Sequence, residues 1–418
     1  MVDKNLFLHD LAVVAILKNE GHYLKEWLDY HLLAGVDHFY LYDNDSPDNQ
    51  AEIAKPYVEA GLVDYFSAPG KVMQMPVYNK AIKRFKFLNR YMAFIDGDEF
   101  IYPKWHEGGG IVELVDEILS QVPNAAGLAI NWQCFGSNGQ EKADYSRGVL
   151  ERFTCRAPSD WQLLNISIGN QHVKTIANPR KIKIFFNPHF GIYFETKFPV
   201  NENGNIVQGA FNNPVTAQKI VINHYYVKSR EEYAKKVDRG RANTLMKRRL
   251  EDFYLHDRNE VFDDSILKYR ATRAENFTLK SNAERINRVT EVLTEKLSAY
   301  VSGEKFSIET ALTCRALSTY LREKFPHDAE YWKICEEASL SAILNSLNGI
   351  NMLEAMIFIR ELPNILMLPY PGIAEINRAA LQIISQMKDF YRLNGHWKEF
   401  TDLDYIQELL RGVSFDGR

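Results

Sequence analysis

From Leu11 onward the chain alternates short β-rich runs with stretches of helical periodicity, the pattern of a sheet joined by crossover helices. Leu11 to Leu17 (LAVVAIL) is a continuous apolar run, as expected of a strand buried on both faces. Tyr23, Trp27, Tyr30 and Ala34 then recur at helical spacing and predict a helix from about Glu20 to Ala34, with Gly35 as its stop. A strand from Asp37 to Tyr42 runs into the polar cluster Asp43-Asn44-Asp45-Ser46-Pro47-Asp48, where Ser46-Pro47 suits the cap and first position of a helix from about Asp48 to Ala60. Strand Leu62 to Phe66, helix Pro76 to Leu88 and strand Tyr91 to Ile95 continue the rhythm, and Gly127 to Trp132 and Val215 to His224 read as later strands. The Gly/Asn/Pro-rich stretch from about Cys134 to Pro214 predicts long functional loops rather than regular structure. After Tyr226 the pattern is nearly all helical, which divides the chain into an α/β domain over 1–230 and a mostly α-helical region over 231–418 for linking, oligomerisation or contact with a membrane or acceptor.

Length agrees with two units, since single cores stop growing at roughly 250 to 300 residues and this chain has 418. Lys+Arg 50 against Asp+Glu 54 gives a net charge of −4, which argues against nucleic acid as a partner. Cys134, Cys155, Cys314 and Cys335 lie far apart with no C-x-x-C pair, so neither a zinc knuckle nor a disulfide scaffold is expected, and a reducing compartment is. The first apolar run is too short and too late for a signal peptide, and no run approaches the roughly 20 apolar residues of a membrane span. Residues 228–249 carry nine Lys/Arg against three Asp/Glu, read either as a solvated helix or as a contact with an anionic membrane surface.

The chemistry concentrates in carboxylates. D-x-D occurs three times, and the tripeptide alone says nothing; context separates the copies. Asp402/Asp404 has no strand before it and reads as surface charge. Asp43/Asp45 follows a strand, but helix capping accounts for it equally well. Asp96 and Asp98 end an apolar strand where open α/β sheets bind ligands, and in extended chain they point to one side. Two convergent carboxylates suit Mg²⁺ or Mn²⁺ completed by substrate phosphates, and Gly97 between them lets backbone approach a ligand.

Over about residues 10 to 240 the sequence resembles glycosyltransferase family 92 and its bacterial relatives. The matching blocks are A-I-L-K-N-E (Ala15 to Glu20), E-W-L-D-Y-H (Glu26 to His31), G-V-D-H-F-Y-L-Y-D-N-D-S (Gly35 to Ser46), F-I-D-G-D-E-F (Phe94 to Phe100), F-G-S-N-G (Phe135 to Gly139), E-R-F (Glu151 to Phe153), K-T-I-A-N-P-R-K (Lys174 to Lys181) and N-H-Y-Y-V-K-S-R-E-E-Y (Asn223 to Tyr233), all in one order. The resemblance implies a GT-A fold: a Rossmann-like mixed α/β sheet flanked by helices, followed here by the helical C-terminal region. It implies that Lys18, Asn19, Glu20, Asp43 and Asn44 hold the nucleotide of a UDP-sugar, and that Mn²⁺ or Mg²⁺ sits on Asp96 and Asp98 with His224 as a third ligand. Lys228 follows as a point charge for the leaving phosphate.

The implied reaction is inverting transfer of a hexose, galactose favoured, to a hydroxyl of a glycan or glycolipid, in surface polysaccharide or lipooligosaccharide synthesis. Inversion needs one general base facing the diphosphate; Glu151 is the first choice, with Asp144 and Asp160 as alternatives. Trp132, Phe135 and Trp161 are either sugar-stacking or core aromatics, and His172, Lys174, Arg180 and His189 form a basic set near them. The expected location is the cytoplasm, with a peripheral contact at the inner membrane as an added possibility; the oligomeric state stays open. Two rivals remain. A sugar-nucleotide-forming nucleotidyltransferase would show a Gly-rich basic loop where this chain has K-N-E-G-H, and a non-catalytic scaffold would act through the helical tail.

Overall fold

The computed structural model describes residues 2–104, 110–163, 168–194, 196–274, 278–279, 281–366 and 372–395, with 402–404, 406, 407 and 410 near the C-terminus. The chain divides into two compact units, His9–Glu284 and Met1–Leu8 with Arg285–Arg418. The larger unit therefore runs past the boundary expected near residue 230, because the helix that follows residue 229 supplies side chains to its central cleft.

Nine strands build the sheet of the larger unit: β1 (His9–Leu17), β2 (His38–Asp43), β3 (Val63–Ser67), β4 (Asn89–Phe94), β5 (Glu99–Pro103), β6 (Ala125–Cys134), β7 (Val173–Ala177), β8 (Phe198–Val200) and β9 (Ile220–His224). Their order is β3-β2-β1-β4-β7-β6-β9-β5, with β8 beside β6. The first four strands are mutually parallel, β7 runs antiparallel between β4 and β6, and β9 is parallel to β6 but antiparallel to β5. Helices α1 (Gly21–Ala34), α2 (Gln50–Glu59), α3 (Gln74–Phe85) and α4 (Ile111–Ser120) accompany the strands. This is the mixed α/β sheet flanked by helices that the sequence implies. β1 is buried along almost its whole length, as its uninterrupted apolar run requires.

Two local expectations change. Ser46-Pro47 does not cap α2: Asn49 holds that position, while Ser46 Oγ accepts the Asn19 N–H (3.0 Å) and the Ser46 N–H bonds Asp43 (2.9 Å). The described residues from 134 to 214 are still more than half loop and turn, as expected, but they hold more regular structure than their composition suggests. β7 lies in the middle of the sheet, and the hairpin Ile182–Asn187 with Phe190–Tyr193 follows it. Glycine, asparagine and proline around these short runs hide them, and buried amides order the connections. The Asn131 side chain donates to the carbonyls of Asn170, Gln171 and Asn212, and accepts from Asn212 at 2.6 Å.

Helix α1 fixes the edge strand β5. Its residues Leu24, Trp27, Leu28, Tyr30, His31 and Ala34 are buried at helical spacing, and Gly35 ends it with φ +103°, a conformation that costs glycine nothing. Trp27 Nε1 donates to Glu99 O (2.8 Å), Tyr30 Oη to Ile101 O (2.9 Å), and His31 Nε2 accepts the Ile101 N–H (3.2 Å). Since His31 Nδ1 donates to Trp27 O (2.8 Å), the ring is neutral, and burial pulls its pKa down to about 3. The folded pKa lies below the unfolded 6.5, so this contribution to stability is complete above pH 6.5 and is lost as pH falls toward 3, at about 1.4 kcal/mol per pH unit. Urea unfolding between pH 7 and 5 is expected to show that slope, and His31→Gln to remove it. An unchanged slope in the variant would assign it elsewhere.

The smaller unit is helical, as the C-terminal pattern predicts: Ala283–Val301, Ile308–Lys324, Ala329–Ser346, Met352–Leu366 and Ile373–Leu393. The second and third of these pack on each other, joined at 2.8 Å by Arg322 and Glu336. Asp404 pairs with Lys388, in keeping with a surface role for the third D-x-D. No helix among the described residues is long and apolar enough to cross a membrane.

Candidate functional site

The cleft forms where β4 ends. Residues 95–98 leave the strand and turn before β5 begins, so the alternation of extended chain does not set the directions of Asp96 and Asp98. Each carboxylate has its own cationic partner instead. Asp96 accepts from Lys174 Nζ on β7 (2.9 Å) and from Gln74 Nε2 on α3 (2.7 Å). Asp98, with its side chain 8% exposed, pairs with Lys236 and lies 3.6 Å from His224 Nε2. Register explains the second meeting: His224 stands opposite Glu99 on the antiparallel neighbour, and the Tyr225 N–H bonds Asp98 O (2.9 Å). A Cβ on Gly97 would stand 2.8 Å from Leu17 Cδ2, so the turn packs against the end of β1 only without a side chain.

Helix α5 (Arg230–Arg239) brings the positive charge. Ser229 and Glu232 form its capping box, and the spacing 232, 236, 239 puts Glu232, Lys236 and Arg239 on one face. Lys236 also donates to Tyr226 O (2.7 Å), and Arg239 pairs with Glu20. Arg152 and Glu232, almost wholly buried, hold each other at 2.9 and 2.6 Å and anchor the helix start.

These contacts set the charge states. Burial alone would raise the Asp98 carboxyl, but Lys236 and then His224 outweigh it and hold Asp98 well below the usual carboxylate range. Burial lowers both Lys236 and His224 against the pull of Asp98. Glu99, fully buried next to the turn, is pushed by burial up to about 8; Lys174 opposes that shift and Asp96 adds to it. Several buried polar atoms around the cleft have no hydrogen-bond partner among the described residues: Glu20 Oε2, Glu99 Oε1, Trp132 Nε1 and His224 Nδ1. Orphaned buried groups are rare in folded proteins, and a cluster of them marks a place shaped for something else.

The cleft is lined by Lys18, Glu20, Asn44, Asp96, Asp98 and His224 from the sequence candidates, together with Gln74, Trp132, His189, Tyr226, Lys236, Arg239 and the segment 240–243 with Arg248. Asn19 and Lys228 line a neighbouring cavity. Asp43 does not line the cleft; it accepts from Ser46 and from the Tyr65 hydroxyl (3.0 Å). Glu151, Asp144 and Asp160 are exposed and none lines the cleft, so the geometry gives none of them the position of a base facing the diphosphate. The buried member of the E-R-F block is Arg152. Glu26 on α1 is partly buried: it accepts the Val149 N–H (2.5 Å) and pairs with Arg270 (3.3 Å), holding the turn that carries Glu151. Phe135 is a core residue stacked on Tyr225, Trp161 packs with Cys134 and Ala157, and only Trp132 of the three aromatics reaches the cleft. Sequence reasoning missed Lys236, Arg239 and Glu99 as site residues, although the S-R-E-E capping box and the 232/236/239 spacing carried the signal for the first two.

A divalent cation can be tested against these groups. Among the described residues no cluster of three or more His, Cys, Asp or Glu is arranged as a metal cage. Asp98 and His224 do fit as a two-point seat. Their separation is too long for a hydrogen bond but short of the roughly 4 Å that two ligands of one Mg²⁺-sized ion can span, and such ions take the rest of their shell from water and substrate phosphate. Asp96 fits less well, being engaged by Lys174 and Gln74.

The sequence profile of glycosyltransferase family 92 matches residues 14–280. A family 92 protein of Ricinus communis is 28% identical over 149 residues, 35% of this chain and 26% of that protein. One of Arabidopsis thaliana is 26% identical over 226 residues, 52% of this chain and 35% of its own length. A galactan beta-1,4-galactosyltransferase of Arabidopsis thaliana is 23% identical over 148 residues, 32% and 28% of the two chains. The chain thus spans only about a quarter to a third of the length of these relatives. With the profile covering well over half of its residues, the chain belongs to glycosyltransferase family 92.

Proposed function

We propose that the cleft binds a UDP-sugar and transfers its hexose, galactose favoured, with inversion to a hydroxyl of a glycan or glycolipid. The observation that carries this reading is the meeting of Asp98 with His224 beside Lys236 and Arg239, among buried polar atoms left without partners. Asp98 and His224 would hold Mn²⁺ or Mg²⁺, which when bound would supply Lewis-acid stabilisation of the leaving diphosphate. Lys236 and Arg239 add fixed positive charge close to that diphosphate, and their present carboxylate partners keep them desolvated and oriented. Glu20 and Asn44 orient the nucleoside from the ends of β1 and β2. In the displacement a bond forms from the acceptor oxygen to the anomeric carbon as the bond to the diphosphate oxygen breaks. UDP leaves with that electron pair, and the hydroxyl proton passes to a base.

At about 180 Å³ the cleft is tighter than the roughly 300 Å³ at which small-molecule sites begin. Donor binding therefore displaces the segment 240–248, whose Ala242 carbonyl accepts the Gln74 N–H (3.0 Å). Calorimetry of UDP with Mn²⁺ is expected to give micromolar binding that chelator weakens by at least about tenfold. Equal affinity with and without the metal would remove the cation from the mechanism.

The basic tract reads differently from a simple amphipathic helix. Only Arg230–Arg239 is α-helical within it, and Lys236 and Arg239 are turned into the cleft. What remains outside is a run of exposed Leu245, Met246 and Leu250 with Lys247, while Arg249 is paired with Asp252 (3.0 Å). We assign this run to peripheral contact with an anionic inner-membrane surface, at about 1 kcal/mol per cation. Co-sedimentation with vesicles containing phosphatidylserine, but not with phosphatidylcholine alone, is expected, and Met246→Ser with Lys247→Ser should weaken it; indifference to lipid charge would exclude the contact.

A further inference from the structure

A second cavity of about 430 Å³ lies beside the donor cleft and shares Glu20, Tyr226, Lys236 and Arg239 with it as a common wall. Its volume is within the range of small-molecule sites, roughly 300 to 1,000 Å³. On its other side stand His22, Tyr23, Tyr145, Lys228 and Lys235, with two carboxylates that are already engaged, Glu232 by Arg152 and Asp48 by the Gly21 N–H. Lys228 is the unusual member. The residue is only 6% exposed, and its backbone has φ +53°, which non-glycine residues adopt at a cost and which clusters at functional sites.

The other buried cations around the cleft each hold a carboxylate: Lys174 holds Asp96, Lys236 holds Asp98, Arg152 holds Glu232 and Arg239 holds Glu20. Lys228 makes no ion pair within 4 Å among the described residues and reaches Asp98 only at longer range; its ammonium rests 4.1 Å above the Tyr23 ring. A buried charge with no counter-charge in contact is expensive, so an ammonium kept here, on strained backbone and facing a cavity, is placed for an anion that arrives from outside. The wall beside it suits a sugar. His22 and Tyr145 stack at 3.9 Å with Tyr23 edge-on to both, and Tyr145 is 39% exposed, leaving apolar ring surface with polar edges open to the cavity. Lys228 lines this cavity and not the donor cleft, which separates it from the diphosphate.

Building on the donor reading above, we propose that this cavity is the acceptor subsite and that it selects a sugar carrying an anionic substituent, a carboxylate or a phosphate, which meets Lys228. Lys235 at the open side is already paired with Glu231 (3.0 Å), so Lys228 carries the selection, and the shared wall puts the bound acceptor next to the donor.

The test is calorimetry on the full chain with four probes: digalacturonic acid, neutral galactobiose, glucose 6-phosphate and UDP. At least one anionic sugar is expected to bind about tenfold more tightly than galactobiose, the worth of one modest ion pair. Preference for digalacturonic acid identifies a carboxylate, preference for glucose 6-phosphate a phosphate. Lys228→Asn removes the charge while keeping a residue that tolerates positive φ, so it should fold and lose the preference; Lys228→Arg should retain most of it. UDP affinity should change much less than that for the anionic sugar in both variants, because Lys228 lies outside the donor cleft and reaches Asp98 only at longer range. Galactobiose binding as tightly as both anionic sugars would overturn the proposal. So would Lys228→Asn weakening UDP while sparing the anionic sugar. A wild-type chain that binds the anionic sugar through Lys228 but not UDP would instead sink the donor reading and leave an anion site.

Discussion

Asp98→Asn is expected to lower UDP release from UDP-galactose by at least about 100-fold, because several kcal/mol of stabilisation of the leaving diphosphate depend on that carboxylate. The substitution keeps the size and one acceptor but removes the charge that pairs with Lys236 and faces His224 at 3.6 Å. It also leaves the Lys236 ammonium buried without a counter-charge, so stability falls by about 3 to 5 kcal/mol, as for other broken buried pairs. The two effects separate in the double variant Asp98→Asn with Lys236→Met, which has no buried lone charge. Its thermal stability should return toward that of the parent while its turnover stays low. A folded Asp98→Asn chain with full turnover would show that the chemistry lies elsewhere.

The second large effect is on the fold. Arg152→Met should cost about 3 to 5 kcal/mol, a fall in Tm of roughly 10 °C for a unit of this size. Arg152 is bound to Glu232 through two nitrogens, and Glu232 also accepts the Tyr23 hydroxyl (2.8 Å) and the Ser229 N–H (3.0 Å). Losing the arginine leaves a buried carboxylate at the head of α5, the helix that carries Lys236 and Arg239 into the cleft. Glu232 also gives the pair a pH signature. Burial pushes its pKa up, but Arg152, Ser229 and Tyr23 together bring it down to about 2. A folded pKa below the unfolded 4.5 means that this stabilisation is present above pH 4.5 and is lost as pH falls toward 2. In Arg152→Met that acid-side loss should shrink, whereas Arg152→Met with Glu232→Gln should recover much of the stability at pH 7. Equal stability of Arg152→Met and the parent at pH 7 would mean that the pair contributes nothing.

The sheet was legible because its parallel half obeys local rules. The LAVVAIL run, the periodic α1 and the stop at Gly35 each report their own structure. β7 was not legible, because five residues inserted antiparallel between β4 and β6 owe their place to pairing partners 42 to 85 residues away and not to any pattern of their own. The site divides the same way. Asp98 could be found from an apolar strand ending in D-x-D, and His224 from its place in the resemblance, yet their meeting depends on the register that sets His224 opposite Glu99. Glu151 looked suited to a base because its block matched a family motif; sequence cannot tell which of two adjacent residues points inward, and it is Arg152 that does. Lys236 and Arg239 were read only as part of a charge excess. Their helical spacing with Glu232 shows in hindsight that three charges on one face were addressed to a common partner.

The central claim is that Asp98 and His224, with a divalent cation, activate a UDP-sugar for transfer. UDP release from a panel of UDP-sugars by the purified chain, with Mn²⁺ and with chelator, for the parent and His224→Ala, tests it most directly. The account predicts slow release from one donor, UDP-galactose foremost, abolished by chelator and strongly reduced by the substitution. Release that is unaffected by either, or absent from every donor while the chain is folded, would contradict it.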